Sequence, residues 1–390
     1  MDRRALQDLL AVFSASAGLL AYEVALTRIF TLIYWHHFAG LLISLALIGF
    51  GTAGSLTSLT LTALEKHRRQ ALAWSALAAA ILMAPAYLST LAVDLEPLAL
   101  AWSTKAWRDL FLVIIILIIP FLFGAAHIGL RLAWAEKVHQ VYAANLAGSA
   151  AGCLTAALAM NLSAPPQAVY PAVFLMLIAA ALSFSFNRRY ALRVGLLLLG
   201  LGLLFIYLLP LPLKFAAFKD RSAVLAAQGS RVETQASSLH GLVEVIGGPA
   251  FHFAPGLSLN CREPLPEQRG LFLDGDLIGP VTKLDTPSGA PAFTGCSLAG
   301  LPINVFKPKR VLVVNPSGGL NLLGFLSTST EVLALEGNPL VYNLMTSPWA
   351  AFSGNLYSRP GIQVRSIDPA NFFEASRENS DLIVVSHCKF

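Results

Sequence analysis

The sequence Asn315-Pro316-Ser317-Gly318-Gly319-Leu320-Asn321 follows directly on the apolar run Val311-Leu312-Val313-Val314. A glycine turn behind a buried strand lets a ligand approach the backbone, because no Cβ stands in the way. Glu336 closes the next apolar run, Val332-Leu333-Ala334-Leu335, where a carboxylate can accept from both hydroxyls of a ribose. Asp368 follows a third run, 362–367, where a carboxylate could contact an adenine. Gly318, Gly319, Glu336 and Asp368 are therefore the candidate cofactor-binding residues. Their chemistry suits a nucleoside cofactor and is compatible with S-adenosylmethionine. The plainer alternative is that the glycines serve only the turn and that Glu336 is a surface charge. No residue is singled out as catalytic.

A second set of polar residues lies in the apolar half of the chain. Glu23 and Arg28 stand in Tyr22-Glu23-Val24-Ala25-Leu26-Thr27-Arg28. A charge inside a bilayer costs at least a few kcal/mol unless partnered, so such residues mark either a substrate or ion site or a structural clamp. Five residues apart, they do not stack on one helix face. Arg28 could also reach the membrane interface along its own stem. His36 and His37 sit at the water boundary of the same segment. The four cysteines, Cys153, Cys261, Cys296 and Cys388, have no CxxC or CxxH spacing, so no metal site is expected. Cys261 and Cys296 could pair in an oxidising compartment; the spacing alone leaves this open.

The elements that would position these residues fall into two halves. Apolar runs long enough to cross a bilayer are expected at 9–33, 38–64, 72–93, 110–130, 141–162, 169–186 and 194–209. The fifth is rich in Ala, Gly and Ser, and its Gly148 and Gly152 have the spacing that lets helix backbones approach closely. Pro120 lies inside the fourth, where a membrane helix tolerates a kink. The stretch 95–107 could be re-entrant. The first run continues past the length of a cleavable signal peptide and is expected to remain as a helix. From Leu242 onward short β-like runs appear, at 242–246, 271–273 and 281–283. Strands at 311–314, 332–335, 362–367 and 381–386 then alternate with helices to about 326, at 340–345 and at 372–377, which implies a parallel, doubly wound sheet.

Composition supports this division. Hydrophobic residues make up 56% of the 390 residues and charged residues only 13%, with mean hydropathy +0.64. Soluble domains carry about a quarter charged residues. The formal charge of +5 does not indicate nucleic acid: up to Pro212 there are thirteen Lys and Arg against eight Asp and Glu, and afterwards fourteen against fourteen. The surplus sits at helix ends. Ten basic residues (Arg3, Arg4, Lys66, Arg68, Arg69, Arg131, Lys137, Arg188, Arg189, Arg193) fall on one side and only Lys105 and Arg108 on the other. By the positive-inside rule the N-terminus is cytoplasmic, in a multi-pass protein of the cell (inner) membrane whose partner is the lipid bilayer. The expected domains are 1–212, a bundle of about seven transmembrane helices; 213–304, a linker and small β subdomain; and 305–390, a partial Rossmann-like domain.

Ala21-Tyr22-Glu23-Val24-Ala25-Leu26-Thr27-Arg28-Ile29-Phe30, with His36-His37-Phe38-Ala39 and Ile43-Ser44-Leu45-Ala46-Leu47, resembles the opening helices of bacterial membrane-embedded spermidine synthase-like proteins. In the second half, Phe253-Ala254-Pro255-Gly256-Leu257-Ser258-Leu259-Asn260 and Leu271-Phe272-Leu273-Asp274-Gly275-Asp276 are similar to the same family. So are the run from Val311 to Asn321, Leu335-Glu336-Gly337-Asn338-Pro339 and Phe352-Ser353-Gly354-Asn355-Leu356-Tyr357-Ser358-Arg359-Pro360. The resemblance implies a polyamine aminopropyltransferase-like fold: an α/β S-adenosylmethionine-dependent methyltransferase-like (Rossmann-type) sheet behind a small β subdomain. It also implies S-adenosylmethionine or its decarboxylated form as cofactor.

The departures from that family pattern are specific. Its glycine turn reads close to Gly-Pro-Gly-Gly-Gly-x-Asp, whereas this chain has side chains at Asn315 and Ser317 and an amide at Asn321. No Tyr or His stands between Pro280 and Leu301, where a diamine site would need an acidic and aromatic cluster. The last strand runs into Ser386-His387-Cys388-Lys389-Phe390, where the family's catalytic Asp would be expected. On this reading the C-terminal sheet is incomplete, the chain is apparently truncated, and a second chain or an oligomer could complete it. Three functions follow: a transferase of the S-adenosylmethionine class with an acceptor that these residues do not specify, a catalytically inactive binding or structural relative, and a transporter-like bundle with a regulatory soluble domain. Seven spans place the soluble domain outside, whereas S-adenosylmethionine is cytoplasmic, so the topology and the cofactor chemistry conflict.

Overall fold

The computed structural model describes residues 3–184, 194–195, 201–202, 209–284, 289–376 and 378–386. The chain divides into two compact units, Met1–Ala216 and Ala217–Phe390. The boundary lies four residues past the break in composition.

The first unit holds α1 (Arg3–Ile33), α2 (His37–Leu64), α3 (Arg68–Thr90), α4 (Thr104–Ala133), α5 (Val138–Leu162) and α6 (Val169–Ser183). A 3₁₀ turn at Glu65–His67 separates α2 from α3. Counting His37–Thr90 together, five helical stretches are long and apolar enough to cross a membrane. Their outer faces are apolar too: Leu47, Leu59, Leu154, Leu158 and Leu162 are all more than 60% exposed. A water-soluble bundle would place polar residues there, whereas lipid would solvate these side chains. The stretch 95–107 is a loop with a 3₁₀ turn, Pro97–Ala101, and then Ser103, whose Oγ caps α4 by accepting from the Ala106 N–H. The expected span at 194–209 lies mostly outside the described residues.

Contacts along the bundle fix the helix directions. A Cβ on Gly148 would collide with the Phe13 carbonyl, and one on Gly152 with the Ala17 carbonyl, so α1 and α5 run parallel with their backbones touching. The small-residue spacing has that role. Helix α4 runs against α1: Asp8 pairs with Arg131 at one end, and the Tyr22 and Phe121 rings meet at 5.5 Å further along. Helix α6 also opposes α1, since Gln7 Nε2 donates to the Leu182 carbonyl at 2.6 Å while Gly18 faces Ala172. Helix α2 runs with α4, its Gly49 against Phe121, and α3 returns, with Arg68 5.3 Å over the Trp134 ring and Leu72 beside His127. Residues 65–69, 131–137 and 183 therefore share one end. The opposite end holds 33–37, 91–103 and 163–168.

Residues 209–216 also lie at this second end. Tyr170 donates to the Leu209 carbonyl at 2.7 Å, Tyr87 to Pro212, Lys214 pairs with Asp94, and Ala216 N–H reaches the Ile33 carbonyl at 3.2 Å. The chain thus finishes α6 at the basic end and re-emerges at the opposite one.

The second unit opens with α7 (Asp220–Leu225) and a four-stranded antiparallel meander: β1 (Arg231–Ser238), β2 (Gly241–Gly247), β3 (Gln268–Leu273) and β4 (Asp276–Thr282). Asp274 and Gly275, both at positive φ, turn β3 into β4 in the mirror-image geometry that suits a twisted hairpin. Helix α8 (Leu301–Phe306) leads to β5 (Arg310–Val314), a 3₁₀ segment Leu320–Ser327, β6 (Glu331–Glu336), α9 (Pro339–Thr346), β7 (Ile362–Ser366), α10 (Pro369–Ala375) and β8 (Leu382–Val385). These four strands are parallel in the order β7-β6-β5-β8.

The two sheets share one core, in which Val243, Val245, Leu271 and Val281 pack with Val311, Val313 and Ala334. The meander packs within the same compact unit as the parallel sheet. Strand β2 is buried throughout, and its Glu244 is 1% exposed. Arg221 answers that carboxylate with two bonds, 2.6 and 3.1 Å, which ties α7 to the meander. Lys219, also buried, binds Asp276 at 3.0 Å.

Candidate functional site

The turn after β5, the end of β6 and the start of α10 come together at the carboxyl edge of the parallel sheet, as the sequence predicts. Strand β5 ends in the turn because Asn315 and Ser317 both adopt left-handed backbone conformations, φ 51° and 54°, and Gly319 a third at 87°. Two positions of the turn thus adopt the geometry that favours glycine and supply it with other residues. A side chain in this region costs about 1 kcal/mol, least for Asn, whose short amide bonds locally. Here Asn315 Oδ1 accepts from the Gly337 N–H at 3.2 Å, across to the end of β6.

Glu336 is 3% exposed and points into the turn. Its Oε2 accepts from the Ser317 N–H at 3.0 Å, and its Oε1 from the Asn338 N–H at 3.0 Å. Tyr357 closes the group: its hydroxyl donates to the Ser317 carbonyl at 2.7 Å and lies beside the carboxylate. Burial pushes the Glu336 carboxyl up to about 7, against the pull of these donors. Both oxygens thus serve backbone groups of this chain.

The close approach that glycine permits is also used internally. A Cβ on Gly318 would strike the Pro280 carbonyl of β4, and one on Gly319 would strike the Leu356 side chain. The meander and the 356–357 segment therefore press on the turn from two directions. Asp368 is exposed and caps α10, its Oδ1 accepting from the Ala370 N–H at 2.8 Å. A groove of about 500 Å³ does exist on this sheet, but Arg310, Glu331, Gly361 and Gln363 line it, at the amino ends of β5, β6 and β7. Ligands of open α/β sheets sit at the other edge.

Tyr357, Leu356 and Pro280 were not singled out from the sequence. The first two fall within a segment shared with the spermidine synthase-like pattern, which was the available signal. Glu23 and Arg28 are half-buried and lie about 140° apart around α1, so the structure gives them no common face. One buried polar group of the bundle lies at its basic end. Arg131, 7% exposed, pairs with Asp8 and donates to Ser183 Oγ at 2.8 Å, and fully buried His127 lies one turn before it on α4. This group joins α1, α4 and α6. Among the described residues no cluster of three potential metal ligands occurs. In the second unit Cys261 and Cys296 form a disulfide with a Cα–Cα distance of 5.7 Å, while Cys153 is free and exposed. Comparison with family models, curated proteins and solved structures finds no match.

Proposed function

We propose that this chain is a multi-pass membrane protein of the spermidine synthase-like kind whose α/β unit faces away from the cytoplasm and acts as a structural or binding module, not as a transferase. The strand order β7-β6-β5-β8 is that of the first half of a doubly wound sheet, which supports a common fold with S-adenosylmethionine-class enzymes. The observation that carries the functional reading is the state of Glu336. A ribose needs a carboxylate that faces open space, and Glu336 is 3% exposed, enclosed by the turn whose Ser317 N–H donates to it and by the Asn338 N–H. With Pro280 and Leu356 against the glycines, the residues present do not fit S-adenosylmethionine or its decarboxylated form.

Sidedness supports the same reading by a separate route. Lys66, Arg68, Arg69, Arg131 and Lys137 share one end of the bundle, and residues 209–216 leave from the other. The positive-inside rule puts the basic end in the cytoplasm. A disulfide in the second unit suits an oxidising compartment, where S-adenosylmethionine is not supplied. Isothermal titration of the full chain in detergent with S-adenosylmethionine and with its decarboxylated form tests the proposal. No saturable heat is expected from either. Stoichiometric binding that Glu336→Ala abolishes would overturn it.

A further inference from the structure

The loop around Cys261 and the segment from Cys296 to Phe306 form one tied element. The disulfide joins them, the Ser258 N–H reaches the Cys296 carbonyl at 3.0 Å, and the Leu298 N–H reaches Gly256 at 2.9 Å. This element displays an unusual set of side chains. Leu259 is fully exposed, and Leu298, Leu301, Val305 and Phe306 are 66%, 55%, 62% and 74% exposed. Only Ile303 of α8 turns inward to the core. Large apolar side chains grouped on a surface mark a contact with another phase or partner.

Directly beyond Phe306 come Lys307, Lys309 and Arg310, all exposed. Apolar residues beside a basic run are the pattern of a segment that lies in a membrane interface: the apolar side chains enter the acyl boundary and the cations meet anionic headgroups. The unit that carries this patch is joined covalently to the bundle at residues 216–217, which holds it at high effective concentration next to a bilayer. We propose that Leu298, Leu301, Val305 and Phe306, with the Lys307–Arg310 cations, form a lipid-docking surface that seats the α/β unit on anionic bilayer. The disulfide ties the loop that carries exposed Leu259 to the segment that leads into that surface. The inference requires the bundle to cross the membrane, but neither a particular side for the α/β unit nor a closed turn after β5.

The test uses the full chain in vesicles, with Cys153→Ser and Cys388→Ser leaving no cysteine outside the disulfide and a nitroxide attached at Phe306→Cys. Power-saturation electron paramagnetic resonance compares accessibility to oxygen, which partitions into lipid, and to a water-soluble nickel chelate. Labels at Leu59→Cys on the outer face of α2 and at exposed Gln363→Cys give the lipid and water references. In phosphatidylglycerol vesicles the Phe306 label is expected to report interface depth. Each cation contributes about fivefold to the ratio of docked to undocked states at an anionic surface, so Lys307→Glu with Lys309→Glu is expected to lower that ratio by ~25-fold or more. A Phe306 label as wet as that at Gln363, while Leu59 reads as lipid, would overturn the docking surface and leave the membrane bundle standing. A label shielded from both reagents would mean a protein partner and would equally overturn it. Equal depth in phosphatidylglycerol and pure phosphatidylcholine would remove the role given to the cations.

Discussion

Glu336 gives the most quantitative consequence of the closed turn. Its carboxyl has an ordinary value of 4.5 in the unfolded chain and is pushed up to about 7 in the folded one, chiefly by burial. Between these values the folded state binds more protons than the unfolded state, so stability falls as pH rises. The contribution is fully present below about 4.5 and is lost as pH passes through about 7. A shift of about 2.5 units corresponds to about 3 kcal/mol. Asp381 and Glu267, held below the ordinary carboxylate range by hydrogen bonds, change stability only in more acidic solution and leave this window clear. Glu336→Gln removes the titration and introduces a second effect. An amide offers one acceptor, so either the Ser317 or the Asn338 N–H loses its partner, at about 1–3 kcal/mol. The variant is therefore expected to be less stable than the parent at pH 5, close to it at pH 8, and nearly independent of pH between. Pulse proteolysis of the full chain in vesicles across a urea series reads the unfolding of the α/β unit at each pH. A parent flat from pH 5 to 8, or a variant that keeps the slope, would refute the buried carboxylate as its origin.

Three further outcomes follow from particular contacts. Ser317→Gly relieves a left-handed residue and is expected to raise stability by about 1 kcal/mol, whereas Gly319→Ala meets Leu356 at φ 87° and should lower it by about 2 kcal/mol; the same urea series reads both. Cys261→Ser with Cys296→Ser opens a loop of 35 residues, and by chain entropy costs ~4 kcal/mol, seen as an earlier urea midpoint that reductant no longer changes. Gly152→Leu drives a side chain into the Ala17 carbonyl on the α1–α5 seam, so the bundle should lose its monodisperse peak in detergent chromatography, while Leu158→Ala on the outer face leaves it intact.

Much of the architecture was legible because the physics is local. Apolar runs interrupted by basic clusters mark α1 to α6 with ends up to six residues off, and the apolar runs of β5 and β6 stand out against their turns. Strand β1 was missed because Arg231–Ser238 is polar and half-exposed, with no apolar face to set a period; its pairing with β2 defines it. Helix α10 begins at Pro369, three residues before the expected start, because Asp368 caps it. The site was legible as a place but not as a state. Gly318, Gly319 and Glu336 do meet at one sheet edge. What occupies them comes from Pro280, Leu356 and Tyr357, as far as 40 residues away in sequence, and no spacing rule reports such contacts. The Cys261–Cys296 pairing likewise depends on the loop that brings the two together.

The side of the membrane that holds the α/β unit decides whether it can meet S-adenosylmethionine. A paired reporter fused after residue 386, alkaline phosphatase in one fusion and green fluorescent protein in the other, reads this in living bacteria, with matching fusions in the 65–69 loop as the cytoplasmic reference. Active phosphatase and a dark fluorescent protein at the C-terminal site, with the opposite pattern in the loop, is the expected result. A fluorescent, phosphatase-negative C-terminal fusion would place the unit beside cytoplasmic S-adenosylmethionine and contradict the account.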